Sequence, residues 1–582
     1  MEFSLIIVLG LLAVAAAAIL GPRLGVAAPL LLVMIGIGVS LLPFVPAIEI
    51  EPHWILAGVL PPLLYSASVS MPAMEFRREF TAIGGLSVLL VLISAVLLGL
   101  VFAWLIPGLG LPAGIALGAI VSPTDAVATA IVKQVGVSPR IVALLEGESL
   151  LNDATALVIL RSAIAAAAAS VSLWGVLGDF IYAVIVAIII GLVVGKLNLL
   201  VRKRVQDPTV NTVISFAVPF AAAVPAEQLH ASGLVAAVVA GLLTGQGALR
   251  HFSPQHRVSD AQNWRSIEMI LEGTVFLVMG LELYAVLEDL SAEGGGVGKA
   301  LGLTVAALLV VVLVRAAYIA PLLLLLKKTA RRGAQLRPKL TAFQERLGSV
   351  DFNSPEFAAQ VAEKQQQHKK KLGRRRSFTP EALERFQTDI RRRLADIDYF
   401  LAEPLGWREG TILVWAGMRG VVTLAAAQTL PEDTPHRALL IFVAFLVAAC
   451  SLVLQGGSLP WLVRLVRPAG INQAALDEER LRLRTMLTEA TDQAMSKHSH
   501  DPTVQQFRER LKQVNTSSET NGEVAVTEVY RRVRFDIIEA QREALLTARD
   551  DGTFSAGPLS AALNALDAEQ ISMDLRTQPL TR

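Results

Sequence analysis

Two carboxylates and an amide sit inside an apolar run at Glu148-Ser149-Leu150-Leu151-Asn152-Asp153. A further carboxylate interrupts the preceding run at Ser122-Pro123-Thr124-Asp125. Ionisable groups in hydrocarbon are costly, so they mark ion or proton paths. Glu148, Ser149, Asn152 and Asp153 recur at i, i+1, i+4 and i+5, which puts one polar face on an otherwise apolar helix. Asp153 follows Arg140 by about 20 Å of helix, which places it near a bilayer midplane. At that depth desolvation and nearby positive charge together set where a carboxylate titrates, so one site can exchange a proton for a metal cation. Small hard cations take oxygen ligands, and Asp153, Ser149, Thr124 and freed backbone carbonyls supply them.

Pro123 lacks a backbone donor and clashes with the turn before it, so the helix is expected to break near Ser122 or Thr124. Such a break is tolerated only beside protein or a water-filled cavity. Two arginines complete the set. Arg315 lies midway through the apolar run 300–326 and needs a carboxylate, for which Glu148 is the best candidate. The pair is read first as a structural staple. Arg419 lies in Trp415-Ala416-Gly417-Met418-Arg419-Gly420, a glycine-flanked interruption of a later run. Two broken helices seven segments apart match inverted repeats meeting at a midplane site, with Asp125 and Arg419 compensating opposite half-helix dipoles. Arg161 is given Glu282 as a partner, and Glu272 is read as either lining a cavity or sitting near a helix end.

The elements that must hold these groups are membrane spans. The chain has 582 residues, 18% of them charged, and a mean hydropathy of +0.54. Its one cysteine, Cys450, excludes an intrachain disulfide. Roughly thirteen apolar segments of about 20 residues are expected, at 3–20, 26–44, 53–70, 80–106, 111–134, 141–169, 173–198, 209–226, 231–246, 266–287, 300–326, 408–429 and 436–463. The first is read as a retained helix because Glu2, not a basic stretch, precedes it. Pro61-Pro62 is expected to bend the third.

Loop charge sets the orientation. Arg23, Arg77, Arg78, Lys133, Arg140, Arg202 and Arg250, among others, fall on one side. Glu49, Glu51, Glu227, Glu293 and Asp433 fall on the other. The positive-inside rule then places the N-terminus outside and the C-terminus in the cytoplasm of a cell with its chain in the plasma membrane. Residues 1–326 and 408–463 form the membrane domain. Residues 327–407 form a basic loop, with Lys369 to Lys371 and Arg374 to Arg376, and 464–582 a helical tail with a polar linker at Asn515 to Asn521. The fold expected is an all-α polytopic membrane protein with a helical cytoplasmic loop and tail. No nucleotide, zinc or catalytic motif is found, so no cofactor, enzyme activity or nucleic-acid partner is assigned. The eight histidines fall in loops, span ends or soluble parts, which argues against a histidine proton relay.

At these motifs, together with His230-Ala231-Ser232-Gly233, the chain resembles the sodium/proton exchanger branch of the monovalent cation–proton antiporters in its bacterial form. The resemblance runs over residues 1–463. It implies a core domain with crossed broken helices, a separate dimerisation domain, a homodimer and an elevator-like movement. It implies that Asp153 binds Na⁺ or H⁺ with Thr124 and Ser149 as ligands, and that Glu148 pairs with Arg315. Asn152 occupies the place where electrogenic relatives carry a second aspartate, which implies electroneutral one-for-one exchange serving pH and sodium homeostasis. K⁺/H⁺ antiport is the alternative within this class. A passive cation channel fits less well, because single carboxylates on broken helices suit alternating access better than a multi-site filter. An intramembrane aspartyl protease using Asp125 and Asp153 lacks the Gly-x-Gly-Asp sequence expected of it.

Overall fold

A computed structural model of the protein describes residues 2–43, 51–168, 173–292, 296–348, 380–468, 473–496 and 524–577. Glu49, Glu293, Lys369 to Lys371, Arg374 to Arg376 and the Asn515–Asn521 linker lie outside them. The described elements are helical. In chain order they begin with α1 (Glu2–Leu24), α2 (Ala28–Ser40) and α3 (Leu60–Ser70). Next come α4 (Ala73–Gly84), α5 (Val91–Leu105), α6 (Leu111–Val121), α7 (Val127–Val135) and α8 (Pro139–Ala168). Then follow α9 (Leu173–Arg202), α10 (Pro208–Gln228), α11 (Gly233–His251), α12 (Pro254–Leu281), α13 (Leu283–Ala292) and α14 (Val297–Gly348). The rest are α15 (Pro380–Ala402), α16 (Trp407–Trp415), α17 (Val421–Gln428), α18 (Arg437–Ser451), α19 (Gly457–Val466), α20 (Gln473–Ser496), α21 (Val524–Asp551) and α22 (Ala556–Thr577).

Among the described residues nine helices are long and apolar enough to cross a membrane. Shorter apolar helices at Ala28–Ser40, Trp54–Ser70 and Leu111–Val121 accompany them. Helix ends follow local chemistry. Gly136, at φ 78°, takes the left-handed position that closes α7. Asp207 caps α10 by accepting from the Thr209 N–H at 2.7 Å and the Val210 N–H at 3.0 Å. Those donors hold its carboxyl below the usual aspartate range. Pro61 and Pro62 open α3, and the residues before them, Trp54–Val59, form a π-helical stretch. The expected bend is therefore a change of helix type.

Contacts divide the chain into two compact units, 1–324 with 405–471 and 325–404 with 472–582. In the first, α11 packs on α3, α9 and α10, while α12 packs on α1 and α2. A second set joins α5 to α6 and α6 to α8, with α17 and α18 also against α6. The α5–α6 approach needs bare backbone: a methyl on Gly118 would run into the Ala95 carbonyl, and one on Gly114 into that of Gly99. On α14, Leu301, Val305, Leu309 and Leu313 are each more than half exposed at four-residue spacing, a face suited to lipid.

Two charges read as loop residues prove buried. Arg140 donates from Nε to Glu79 at 2.6 Å, both nearly inaccessible. Arg202 bonds Asn211 at 2.8 Å, pairs with Asp260 at 2.9 Å and lies over the Phe252 ring. α12 starts at Pro254, not near 266, which brings Asp260 into reach. An arginine at a span end thus satisfies itself inside the bundle where a neighbouring helix offers a carboxylate.

In the second unit, α15 and the tail helices form one body. Arg391 pairs with Asp551 at 3.2 Å, and Arg392 donates to the Asp550 carbonyl at 2.7 Å, so two cations cap the C-terminal end of α21. Glu479 on α20 accepts from the Ser555 N–H and hydroxyl at the start of α22. Val533, Ile537 and Ala494 form a small core between α20 and α21. The loop and tail, separate in sequence, join because their charges are complementary.

Candidate functional site

The site forms where two helices break and cross. α6 ends at Val121, residues 122–125 are non-helical, Ala126 forms a turn, and α7 starts at Val127. α16 ends at Trp415 and α17 starts at Val421. The breaks are joined by one backbone hydrogen bond, from the Asp125 N–H to the Met418 carbonyl at 2.8 Å.

Each break exposes half-helix ends, and the two charges divide them by sign. Arg419 donates from Nε to the Val121 carbonyl at 2.8 Å and reaches the Ser122 carbonyl at 3.5 Å. It also donates to the Gly417 carbonyl. A buried cation therefore sits on the free carbonyls ending α6 and α16. Its own N–H donates to the Ser451 hydroxyl at 2.8 Å. Asp125 takes the opposite ends. Its Oδ1 accepts from the Val127 N–H at 3.3 Å, at the start of α7. A Cβ on Gly420, the residue capping α17, would fall on the Asp125 carboxylate. Only glycine lets the acid approach that closely. The sequence named these two charges but not which end each serves.

α8 brings its polar face to the crossing. Glu148 and Arg315 form a buried bidentate pair, with Nη2 donating to Oε2 at 2.8 Å and Nη1 to Oε1. Arg315 is 2% and Glu148 1% exposed. Arg315 Nε donates to the Leu413 carbonyl on α16 at 2.8 Å, so one side chain ties α14, α8 and α16 together. Gly417 makes room, since a methyl there would meet the Arg315 side chain. The Thr124 hydroxyl donates to Glu148 Oε1 at 3.1 Å. Asn152 Nδ2 donates to the Thr124 hydroxyl at 2.6 Å and to its carbonyl at 3.2 Å. A carbonyl can only accept, so this fixes which way the amide points. Its Oδ1 is buried without a partner.

Asp153 is different. It is 8% exposed, and among the described residues no side-chain hydrogen bond or ion pair reaches it; Asp125 is the charged group whose field it feels. Ser149 stands one turn before it on the same helix face and is likewise buried. Thr124 keeps one lone pair free beyond its two bonds. Glu148, Thr124, Asn152 and Arg315 thus form one bonded network, and Asp153 with Ser149 stands beside it unbonded. Sequence reasoning missed Ser451 and the Leu413 carbonyl; a serine in the apolar α18 was the only available signal. It also mispaired Arg161, which lies 3.8 Å from Glu227 instead of beside Glu282. Glu227 follows Pro225 near the end of α10, and this helix end reaches Arg161.

Comparisons with known proteins bear on the family and the fold. The profile of the family described as sodium/hydrogen exchanger, transmembrane, matches residues 9–342 and 392–465. An uncharacterized Na⁺/H⁺ exchanger of Mycobacterium tuberculosis is 27% identical, over 98% of this chain and 96% of its own. A sodium, potassium, lithium and rubidium/H⁺ antiporter of Bacillus pumilus is 30% identical, over 44% of this chain and 39% of its own. In structure, the sodium proton antiporter MjNhaP1 of Methanocaldococcus jannaschii superposes with a TM-score of 0.54 at 16% identity. That match covers 79% of this chain and 98% of the archaeal one, and it concerns the fold.

Proposed function

The chain belongs to the sodium/hydrogen exchanger family, and we propose that it exchanges one Na⁺ for one H⁺ at Asp153. The observation that carries this reading is a carboxylate 8% exposed, with no hydrogen-bonded or ion-paired partner among the described residues, beside a hydrogen-bonded network. Empty, Asp153 is a bare buried anion and is costly to carry through a closed, dry state. Loaded with H⁺ or with Na⁺, it is neutral. Only the two loaded forms pass between the faces of the membrane at a useful rate, and that restriction couples the two flows. Ser149, the free lone pair of Thr124 and the Asn152 oxygen supply further oxygen ligands for a hard monovalent cation.

Every other charge at the crossing has a fixed assignment. Glu148 is neutralised by Arg315, while Arg419 and Asp125 serve half-helix ends. Exchange is then electroneutral, with one charge moving each way. The two helix sets of the membrane unit suit an elevator motion, in which the broken-helix set slides against the α1–α3 and α9–α12 set. We place the protein in the plasma membrane as a homodimer, with the N-terminus outside and the C-terminus in the cytoplasm. K⁺ is the second candidate cation, supported by the name of the Bacillus pumilus relative.

The test is reconstitution into proteoliposomes with internal pH followed after Na⁺, Li⁺ or K⁺ is added outside. Na⁺ entering the lumen is expected to alkalinise it as protons leave in exchange, and Na⁺ leaving the lumen to acidify it as protons enter. An imposed voltage is expected to leave the rate unchanged. A rate that rises with voltage contradicts one-for-one exchange, and a current without proton movement indicates a channel.

A further inference from the structure

A serine in an apolar helix ordinarily gives its one proton to a carbonyl of the preceding turn and does nothing more. Ser451, the last residue of α18 and 1% exposed, does donate to the Ala448 carbonyl at 3.0 Å. Its oxygen has a second use. It accepts from the Arg419 backbone N–H at 2.8 Å, inside the break between α16 and α17. That N–H shares a peptide with the Met418 carbonyl, which accepts from the Asp125 N–H at 2.8 Å. The Asp125 N–H in turn shares a peptide with the Thr124 carbonyl, which accepts from Asn152 Nδ2 at 3.2 Å.

Four hydrogen bonds therefore run from α18 through both breaks to α8, and every donor points toward the α18 end. Bonds linked in one sense polarise one another, so each strengthens the next. The neighbourhood of Ser451 confines the same peptides. Directly after it α18 widens into the π-helical stretch Leu452–Gly456, a form concentrated at functional sites. A Cβ on Gly456, in that stretch, would lie 3.5 Å from the Met418 sulfur. The chain of bonds ends on atoms proposed as cation ligands. Asn152 Nδ2 is committed to the Thr124 carbonyl and hydroxyl, and its Oδ1 is left buried without a partner. A proton needs one oxygen of Asp153, whereas Na⁺ needs several oxygens held in place. Order along this chain therefore bears first on the cation.

We infer that Ser451 is a positioning residue for the transported cation. It acts through the Met418–Arg419 and Thr124–Asp125 peptides, which hold Thr124 and Asn152 as ligands beside Asp153. The hydroxyl anchors one end of the chain, and Asn152 is anchored at the other. The inference rests on the proposed exchange at Asp153.

The experiment measures half-saturating Na⁺ and maximal rate in proteoliposomes at one constant pH. The proteins compared are the unmodified chain, Ser451→Ala, Ser451→Cys, Asn152→Ala and the double variant Ser451→Ala with Asn152→Ala. Ser451→Ala is expected to raise half-saturating Na⁺ roughly threefold to tenfold, while the maximal rate falls by less. Ser451→Cys keeps the volume with a weaker acceptor and is expected to fall between the two. Asn152→Ala releases the other end of the chain, so the double variant is expected to be little worse than Asn152→Ala alone. An unchanged half-saturation in Ser451→Ala, a loss confined to maximal rate, or effects that multiply in full in the double variant would overturn the inference. If Ser451→Ala does not yield folded protein, Ser451→Cys takes its place, alone and with Asn152→Ala, under the same criteria. Absence of Na⁺-driven exchange in the unmodified protein would instead overturn the reading on which the inference rests.

Discussion

Asp153→Asn is expected to reduce Na⁺-driven proton movement to the background of empty liposomes while leaving the protein folded. An amide of the same shape can neither release a proton near neutral pH nor balance a cation. Because Asp153 has no bonded partner among the described residues, the substitution breaks no hydrogen bond and removes a buried charge. Thermal unfolding is therefore expected to be unchanged or shifted upward, in contrast to the usual outcome of altering a buried polar residue. Loss of exchange with intact unfolding behaviour separates an ion-carrying role from a scaffold role. Residual coupled exchange in Asp153→Asn would move the site elsewhere, with Asp125 the next carboxylate to test.

The second large effect concerns stability. Glu148→Gln and Arg315→Met each leave one buried charge uncompensated, and each is expected to destabilise the membrane unit by about 3–5 kcal/mol. Arg315 should be the more severe, because its loss also releases the Leu413 carbonyl and unties α14 from α16. The double variant Glu148→Leu with Arg315→Met removes both charges and is expected to recover part of the loss. Thermal unfolding in detergent with the four proteins side by side checks this. If either single variant unfolds like the parent, the pair is not a staple.

The breaks were legible because they are chemical events in the chain. Pro123 removes a donor, and Gly417 and Gly420 flank an arginine in an apolar run, so both interruptions could be placed to within a few residues. The Glu148–Arg315 pair was legible from cost alone, since an arginine midway through a span needs an acid and α8 supplies one. The distribution of Asp125 and Arg419 among half-helix ends was not, because it depends on how the breaks cross. Nothing local fixes that crossing; the Asp125–Met418 backbone bond does. The burial of Arg140 and Arg202 was hidden for a related reason. Loop charge reports orientation on average, yet a single arginine at a span end follows whichever helix presents Glu79 or Asp260. Arg161 was paired with the wrong acid because span position does not reveal that the end of α10 comes near α8. The joining of loop and tail depends on Arg391 and Arg392 meeting the end of α21, a contact across 158 positions of sequence.

The claim that Na⁺ and H⁺ compete for one carboxylate has a direct measure in the half-saturating Na⁺ concentration recorded across a range of pH in proteoliposomes. Competition at Asp153 predicts that half-saturating Na⁺ rises about tenfold for each unit of acidification once protonation dominates, with the maximal rate unchanged. A half-saturation that stays constant while only the maximal rate changes with pH would contradict it, because the proton would then act at a group other than the one that holds the cation.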